Sequence, residues 1–577
     1  VPLFVEELTK AVLERESGAV PATLHDSLMA RLDQVPAAKA VAQQASVIGR
    51  EFTYDMLAGI TPKGEHGLPA ALRQLVSAGL ASVRGTPPKA TYTFKHALVR
   101  DAAYESLLRS RRQELHARLA TVLEENYPDI LSRQPELVAH HLSEAWLAER
   151  AVPYWQQAAD KAACRQAHQE AIAHCTHGLA MVRLLPDEAQ RERYELQLLV
   201  RLGNSATSAR GYSAPEVGES FYRARELCSK LGEERLLHPI LVGLYFYHAN
   251  RAELRTAERL ALELLSLGRT DGDRVLQVDG HKTLLNARYK LGKFAEAQEH
   301  LEQGMRLYEE APWPATLLEQ FDDPGPHLLV IGGCVLWVRG YPDLAKQAVT
   351  GAIALGHRHG HHLSTAHAVH MSGHLAELMG DWEGVERANE ATMTLVTEWG
   401  LTGLRQQVAL RERLVAVAVH NDPEQMEWKH RHPQPGFARS LHDGVLAKAY
   451  GRSGAPEEGL PLIDKSLAWA EETGSQFFDA ELYRIRAGLL LLLRRMDEAE
   501  HSFHKALDVA RGQGARMWEL RAACDLAQML RDHGRQAEAR ELLAPIHGWF
   551  SEGFDVKDLQ RAKTLLDNLS CLASSAS

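Results

Sequence analysis

A chain of 577 residues is too long to fold around one hydrophobic core and implies several domains. Its 45% hydrophobic and 24% charged content is that of a soluble protein, and the longest apolar run, Leu328 to Val338, falls short of the roughly 20 residues a membrane span requires. A formal net charge of −10 argues against bulk attraction to nucleic acid or anionic membranes and leaves only local basic patches, the densest at Arg109, Arg111 and Arg112.

In chain order, residues 1–35 read as two short helices. VPLFVEELTK places Val5, Leu8, Val12 and Leu13 on one helical face that closes at Gly18. VPATLHDSLMARLDQVP, bounded by Pro21 and Pro36, aligns Leu24, Leu28, Met29 and Leu32. Chain ends are usually polar and frayed, so an apolar start without Met implies an interior piece of a longer protein. Residues 36–134 give three helices (AKAVAQQASVIG, TYDMLAGI, LPAALRQLVSAGL) and two extended pieces, LASVRG and ATYTFKH. Thr86, Pro87 and Pro88 force a tight turn between the extended pieces. Three helices and a hairpin is the order of a winged helix, and ALVRDAAYESLLRSRRQELHARLATVLEENYP follows it as one long amphipathic helical stretch.

From residue 135 the chain becomes a run of helical pairs. A helix, a Gly-centred turn and an Ala-rich helix recur, with turns near Gly292, Gly340, Gly380, Gly454, Met496 and Gly534. The spacing is roughly 40 residues with one doubled gap, close to the tetratricopeptide range. Small residues after each turn, such as Ala295, Ala345 and Ala499, let the second helix lie close on the first. One pair cannot bury its faces alone, so the units must stack into a superhelix. The expected division is 1–35, a helical lid; 36–134, a winged helix with its following helix; 135–310, a first repeat block; 311–327, a Pro- and Asp-rich loop; 328–568, a second repeat block; and 569–577, a disordered tail. The fold class is predominantly all-α, with a small β-hairpin ahead of a tetratricopeptide-like α-solenoid.

Motifs for chemistry are few. No GxxxxGK[ST] occurs, so the chain has no phosphate loop and should not hydrolyse ATP alone. GxSxG and HExxH are also missing. Six cysteines (Cys164, Cys175, Cys228, Cys334, Cys524, Cys571) contain no CxxC pair, which fits reduced thiols in a cytoplasmic protein. HRHGHH at 357–362 is dense enough to bind a transition metal, or else caps one helix and opens the next through Gly360. His96 and the pair His140 and His141 read as packing histidines rather than catalytic ones. The helix that would read DNA, LPAALRQLVSAGL, offers only Arg73 to base edges, which favours a packing role and makes a nucleic-acid partner unexpected.

Several long segments carry a family resemblance. PLFVEEL, VPATLHDSLMARLD, ASVIGREFTYDML, YTFKHALVRDAAYESLLRSRRQELHARLA and ELVAHHLSEA resemble the end of the ATPase module in bacterial multidomain adenylate/guanylate cyclases. GYSAPEVGESFYRARELC, LWVRGYPDLA and GWFSEGFDVKDLQRAKTLLDNL are similar to the tetratricopeptide region of the same family. In that family a cyclase domain comes first, then an AAA-like signal-transduction ATPase, then helical repeats. Members carry GNPLFVEEL where this chain begins, with Val1 in place of the Asn. The resemblance therefore implies that the phosphate loop, the cyclase domain and the ATP or ADP and Mg²⁺ they use belong upstream. It also implies that Pro2 packs near the adenine and that His96 reaches the bound diphosphate.

The functional expectation is a regulatory or scaffolding part of an ATP-dependent signalling protein, with repeats that bind a protein or peptide and a winged helix that relays to the ATPase and cyclase. The rivals are a transcription regulator of the signal-transduction ATPase type, a stand-alone tetratricopeptide adaptor, and a metal-dependent enzyme using the 357–362 histidines.

Overall fold

The computed structural model describes residues 32–62, 67–310, 323–399, 404–431 and 438–575, together with Met29, Leu401 and Gly436. Pro2, the lid helix closing at Gly18 and most of the 311–327 loop lie outside the described residues. The chain divides into two compact units, 1–202 and 203–577.

In the first unit, α1 (Pro36–Ile48), a short strand β1 (Glu51–Thr53), α2 (Tyr54–Ile60) and α3 (Leu68–Ser77) precede the hairpin of β2 (Ala81–Arg84) and β3 (Thr91–Phe94). The three helices and hairpin follow the expected order. Strand β1 is an addition: after Gly49 it pairs antiparallel with β3, giving the sheet order β1-β3-β2. Phe52 on β1 sits opposite Tyr92 and stacks on it at 5.6 Å, while Thr53 caps α2 by accepting from the Met56 N–H at 3.2 Å.

The long helical stretch after the hairpin is two helices, α4 (Ala97–Glu105) and α5 (Arg109–Asn126), not one. Leu108 is extended, and the break lets Val99 and Ala102 of α4 and Leu115 and Leu119 of α5 enter the same core. Then come α6 (Pro128–Arg133), α7 (Pro135–Glu144), α8 (Ala148–Cys164) and α9 (His168–Val182). Across the boundary expected at 134/135 the core continues: Val138, Leu142 and Trp155 join it, and the Trp155 indole N–H donates to Ser143 Oγ at 2.9 Å.

Helix α10 (Glu188–Arg210) carries the unit boundary. The second unit continues as helix pairs: α11 (Pro215–Leu231), α12 (Leu237–Asn250), α13 (Leu254–Thr270), α14 (Arg274–Lys290), α15 (Phe294–Glu309), α16 (Pro324–Val338), α17 (Pro342–His359), α18 (His362–Met379) and α19 (Trp382–Trp399). They are followed by α20 (Arg405–His420), α21 (Pro423–Arg431), α22 (Arg439–Arg452), α23 (Pro456–Thr473), α24 (Asp479–Leu492), α25 (Met496–Gln513), α26 (Arg516–Asp532), α27 (Gln536–His547) and α28 (Lys557–Ser575).

One local rule organises the pairs. The turn inside each holds a residue in the left-handed region, and in most of them a small side chain is buried under the neighbouring helix five positions later; after Gly380 and Asn421 that place is held by the buried Val385 and Met426. Gly292, Gly340 and Gly534 lead to Ala297, Ala345 and Ala539, while the non-glycine Ala252 and Arg494 lead to Ala257 and Ala499. Ala295, expected at the packed position, is exposed, and Ala297 takes its place. The doubled gap between Gly380 and Gly454 holds a further pair, α20 and α21, whose turn uses Asn421 at φ +52°.

Two expected irregular stretches are helical. Residues 324–327 begin α16, because Asp323 accepts from the Gly325 N–H at 3.0 Å and Pro324 occupies the first turn, so part of the Pro- and Asp-rich signal is a cap. Residues 569–575 continue α28, since Leu569 extends the buried stripe of Leu559, Ala562 and Leu565.

The second unit also closes on itself. Glu552 accepts from the N–H groups of Asp343 and Leu344 at 2.9 and 3.2 Å, at the start of α17. Asp343 in turn accepts from the Gly553 N–H at 3.0 Å, and Lys346 pairs with Asp555 at 3.1 Å. Behind this clasp Trp337 meets Trp518 edge to face at 4.9 Å, with the Arg521 guanidinium over both rings.

Candidate functional site

His96 is the N-cap residue of α4 but its side chain caps nothing. The ring is half-buried, and its Nε2 has no hydrogen-bond partner among the described residues. Pro2, its expected companion at a nucleotide, lies outside those residues. Arg73 is exposed on α3. The basic patch is engaged locally: Arg109 lies over Trp146 at 4.7 Å, Arg111 pairs with Glu114 at 2.6 Å, and Arg112 donates to the Glu105 carbonyl at 2.7 Å.

His141 belongs to a buried relay that the sequence did not disclose. Tyr104 hydroxyl to His116 Nε2 is 3.0 Å, and His116 Nδ1 to His141 Nδ1 is 2.9 Å. If the phenol donates, His116 carries its proton on Nδ1 and passes a hydrogen bond to His141. Burial drives both imidazoles toward the neutral form, His116 to about 4 and His141 to about 3.

Within 357–362, His357 and His362 both face Trp399, while His359 and His361 go elsewhere. Helix α17 ends at His359, Gly360 caps it at φ +65°, and His361 caps α18 by accepting from the Ser364 N–H. His359 Nδ1 meets Asp323 at 2.7 Å, and His362 stacks on Trp399 at 4.2 Å. The run caps one helix and opens the next. Among the described residues no group of three or more His, Cys, Asp or Glu side chains could hold a metal ion.

The first helices of successive pairs carry buried polar bridges, several at an offset of 41 residues: His238 to Asp279, Asn286 to His327, the His370 carbonyl to Arg411, and Arg484 to Asp525. In the middle of the unit Glu377 accepts from Arg411 Nε at 2.7 Å and from His374 Nδ1 at 2.9 Å, and His374 Nε2 meets the Tyr289 hydroxyl at 2.9 Å. Burial alone would raise the Glu377 carboxyl, but Arg411 and His374 hold it well below the usual carboxylate range. Glu481 is held at about 2 in the same way, with Arg484 and Arg521 outweighing burial. These satisfied pairs fix the register of the stack.

Open surface chemistry lies on α19. A groove of about 820 Å³ runs along it and is completed by Glu412 and Val415 of α20. Glu386, Glu390 and Glu398 line it together with Glu412, and none of these four carboxylates is ion-paired among the described residues. Met393 and Val415 supply apolar wall. Asn389 also lines it, 4% exposed, with neither its Nδ2 nor its Oδ1 hydrogen-bonded among the described residues. Sequence reasoning missed this site and read residues 382–399 as one more repeat helix. The available signal was Asn389, a poor helix former, beside the stripe of Val385, Ala388, Thr392 and Val396.

No protein-family profile matches the chain. It is 24% identical over 556 residues to an uncharacterized protein of Rhizobium meliloti (strain 1021), covering 92% of this chain and 53% of that one. The chain thus spans about half the length of the curated relative it matches. Among solved structures, a Rap protein complexed with competence and sporulation factor aligns with 70% of this chain and 98% of its own at 10% identity and TM-score 0.36. A signal transduction ATPase with numerous domains that has a tetratricopeptide repeat sensor, from Pyrococcus horikoshii, aligns with 94% of this chain and 66% of its own at 11% identity and TM-score 0.25. Yeast Tom70 aligns with 79% and 97% at 12% identity and TM-score 0.29. Superpositions this loose carry no functional argument, and the solenoid assignment rests on the chain's own helix pairs.

Proposed function

We propose that this chain is the partner-sensing part of an ATP-dependent signalling protein resembling the adenylate/guanylate cyclases. Its solenoid captures a protein or peptide, and its first unit relays the event to an upstream ATPase and cyclase. The observation that carries the reading is the helix-pair stack with an open, unsatisfied groove along α19. Stacked pairs build long continuous surfaces suited to extended segments. A captured segment shifts the rest of the protein only by its differential affinity for two states.

In that arrangement the first unit acts as a winged helix against the ATPase module. ATP or ADP with Mg²⁺ would be held upstream, and His96, whose Nε2 is unpaired, is the described residue suited to meet the diphosphate. The local engagement of Arg109, Arg111 and Arg112 weighs against a nucleic-acid partner.

The test is a selection of displayed random dodecapeptides on the purified chain, followed by titration calorimetry. The reading expects enriched peptides that bind one per chain with Kd below about 100 µM. A selection that enriches nothing able to bind at that level would sink it.

A further inference from the structure

Four carboxylates in one groove, without counter-ions among the described residues, constitute an unbalanced field that favours a cationic ligand. Acidity alone does not define a site; Asn389 adds the decisive detail. Its carboxamide carries an acceptor and a donor on one plane, both unsatisfied, on a side chain withdrawn from solvent. Leaving such a group unpaired costs stability, and what satisfies both atoms at once is one residue of an extended segment, whose own N–H and C=O point to the same side. Spacing agrees with this. From Glu386 to Glu398 the groove runs along twelve residues of helix, about 18 Å, enough for an extended segment of about five or six residues. Glu386 and Glu390 are one helical turn apart, about 6 Å, close to the repeat of alternate side chains on an extended strand. Met393 and Val415 offer apolar contact beside the carboxylates.

We propose that this groove binds an extended, lysine- or arginine-rich segment of a partner protein, with Asn389 holding the segment's backbone and the glutamates its alternate basic side chains. The inference rests on the partner-sensing reading and names the chemistry of the partner.

The experiment uses the full chain and fluorescence anisotropy. The probe is a fluorescein-labelled, C-amidated heptapeptide of alternating Lys and Leu. Comparators are the same peptide with Glu for Lys, and spermine as a small polycation. The expected result is binding of the lysine peptide that weakens with salt, and no binding of the glutamate peptide. The exposed double variant Glu390→Gln/Glu398→Gln should weaken binding about 25-fold, at about five-fold per charge. Asn389→Ala should weaken it about ten-fold.

Binding of the lysine peptide that is unchanged in the double glutamate variant overturns the proposal. So does equal binding of the glutamate peptide, or displacement by equimolar spermine together with indifference to Asn389→Ala, which would mark a site for free polycations. If display-selected peptides bind the chain but the lysine peptide does not, this inference falls and the partner-sensing reading stands. If neither binds, both fall.

Discussion

Replacing Arg411 by Met removes the guanidinium that Glu377 depends on while keeping a similar aliphatic volume. Glu377 and Arg411 side chains are 2% and 8% exposed, so the change strands a carboxylate whose hydrogen-bond partner among the described residues is then His374 alone. Breaking a buried pair from one side typically costs about 3–5 kcal/mol. The second unit spans residues 203–577, roughly 375 residues. At about 2.1 cal/mol/K per residue its unfolding entropy is about 0.8 kcal/mol/K, so the unit's thermal midpoint should drop by about 4–6 °C.

The pH response should also change sign. In the parent the Glu377 carboxyl is depressed, so its contribution is present above the usual carboxylate pKa and lost as pH falls through the folded value. In the variant burial dominates and raises the carboxyl, so stability should increase as pH is lowered from 7 toward 5. Scanning calorimetry at several pH values, with Glu377→Gln and the double variant completing a cycle, measures both effects. A drop below about 1 °C, or a double variant less stable than Arg411→Met alone, would refute the account of a charge stranded in the stack.

Gly553→Ala should be costly, because its φ is +72° and a Cβ there would stand 1.9 Å from Pro342 Cγ; a loss of about 2 kcal/mol or more is expected, with faster hydrogen exchange at residues 342–346. The first unit should lose stability as pH falls from about 6.5 toward 4, since His116 and His141 stay neutral when folded and protonate on unfolding. Substituting Phe at both positions should flatten that part of the thermal profile. His96→Ala should leave the thermal midpoint within about 1 °C, because the ring caps nothing; on the proposed reading, it should also weaken ADP retention when this chain is joined to an ATPase module.

The parts of the fold legible in the sequence were those written in short-range chemistry. Gly292, Gly340, Gly380, Gly454 and Gly534 mark turns that need a left-handed residue, and glycine adopts that conformation without strain. The same turn built on Asn421 or Ala252 carries no such mark, so the pair at 405–431 read as a gap. Strand β1 is three residues long and exists only because β3 offers it an edge, a pairing some forty residues away. Asn389 and the Tyr104–His116–His141 relay were hidden for a related reason: their chemistry arises from which helices meet. Capping at 357–362 was readable because Gly360 and His361 act on backbone next to them, whereas the His359 contact to Asp323 was not.

The clasp between Glu552 and the start of α17 joins residues 209 positions apart and so constrains how such a chain can change through evolution. Solenoids ordinarily gain or lose repeats with little penalty, because each unit touches only its neighbours. Here, inserting or deleting one helix pair between Asp343 and Glu552 would displace the two halves of the clasp by about 10 Å, the width of a packed helix. The number of pairs in that interval is therefore fixed, as the number of strands is fixed in a closed barrel. Variation in length is expected after Asp555.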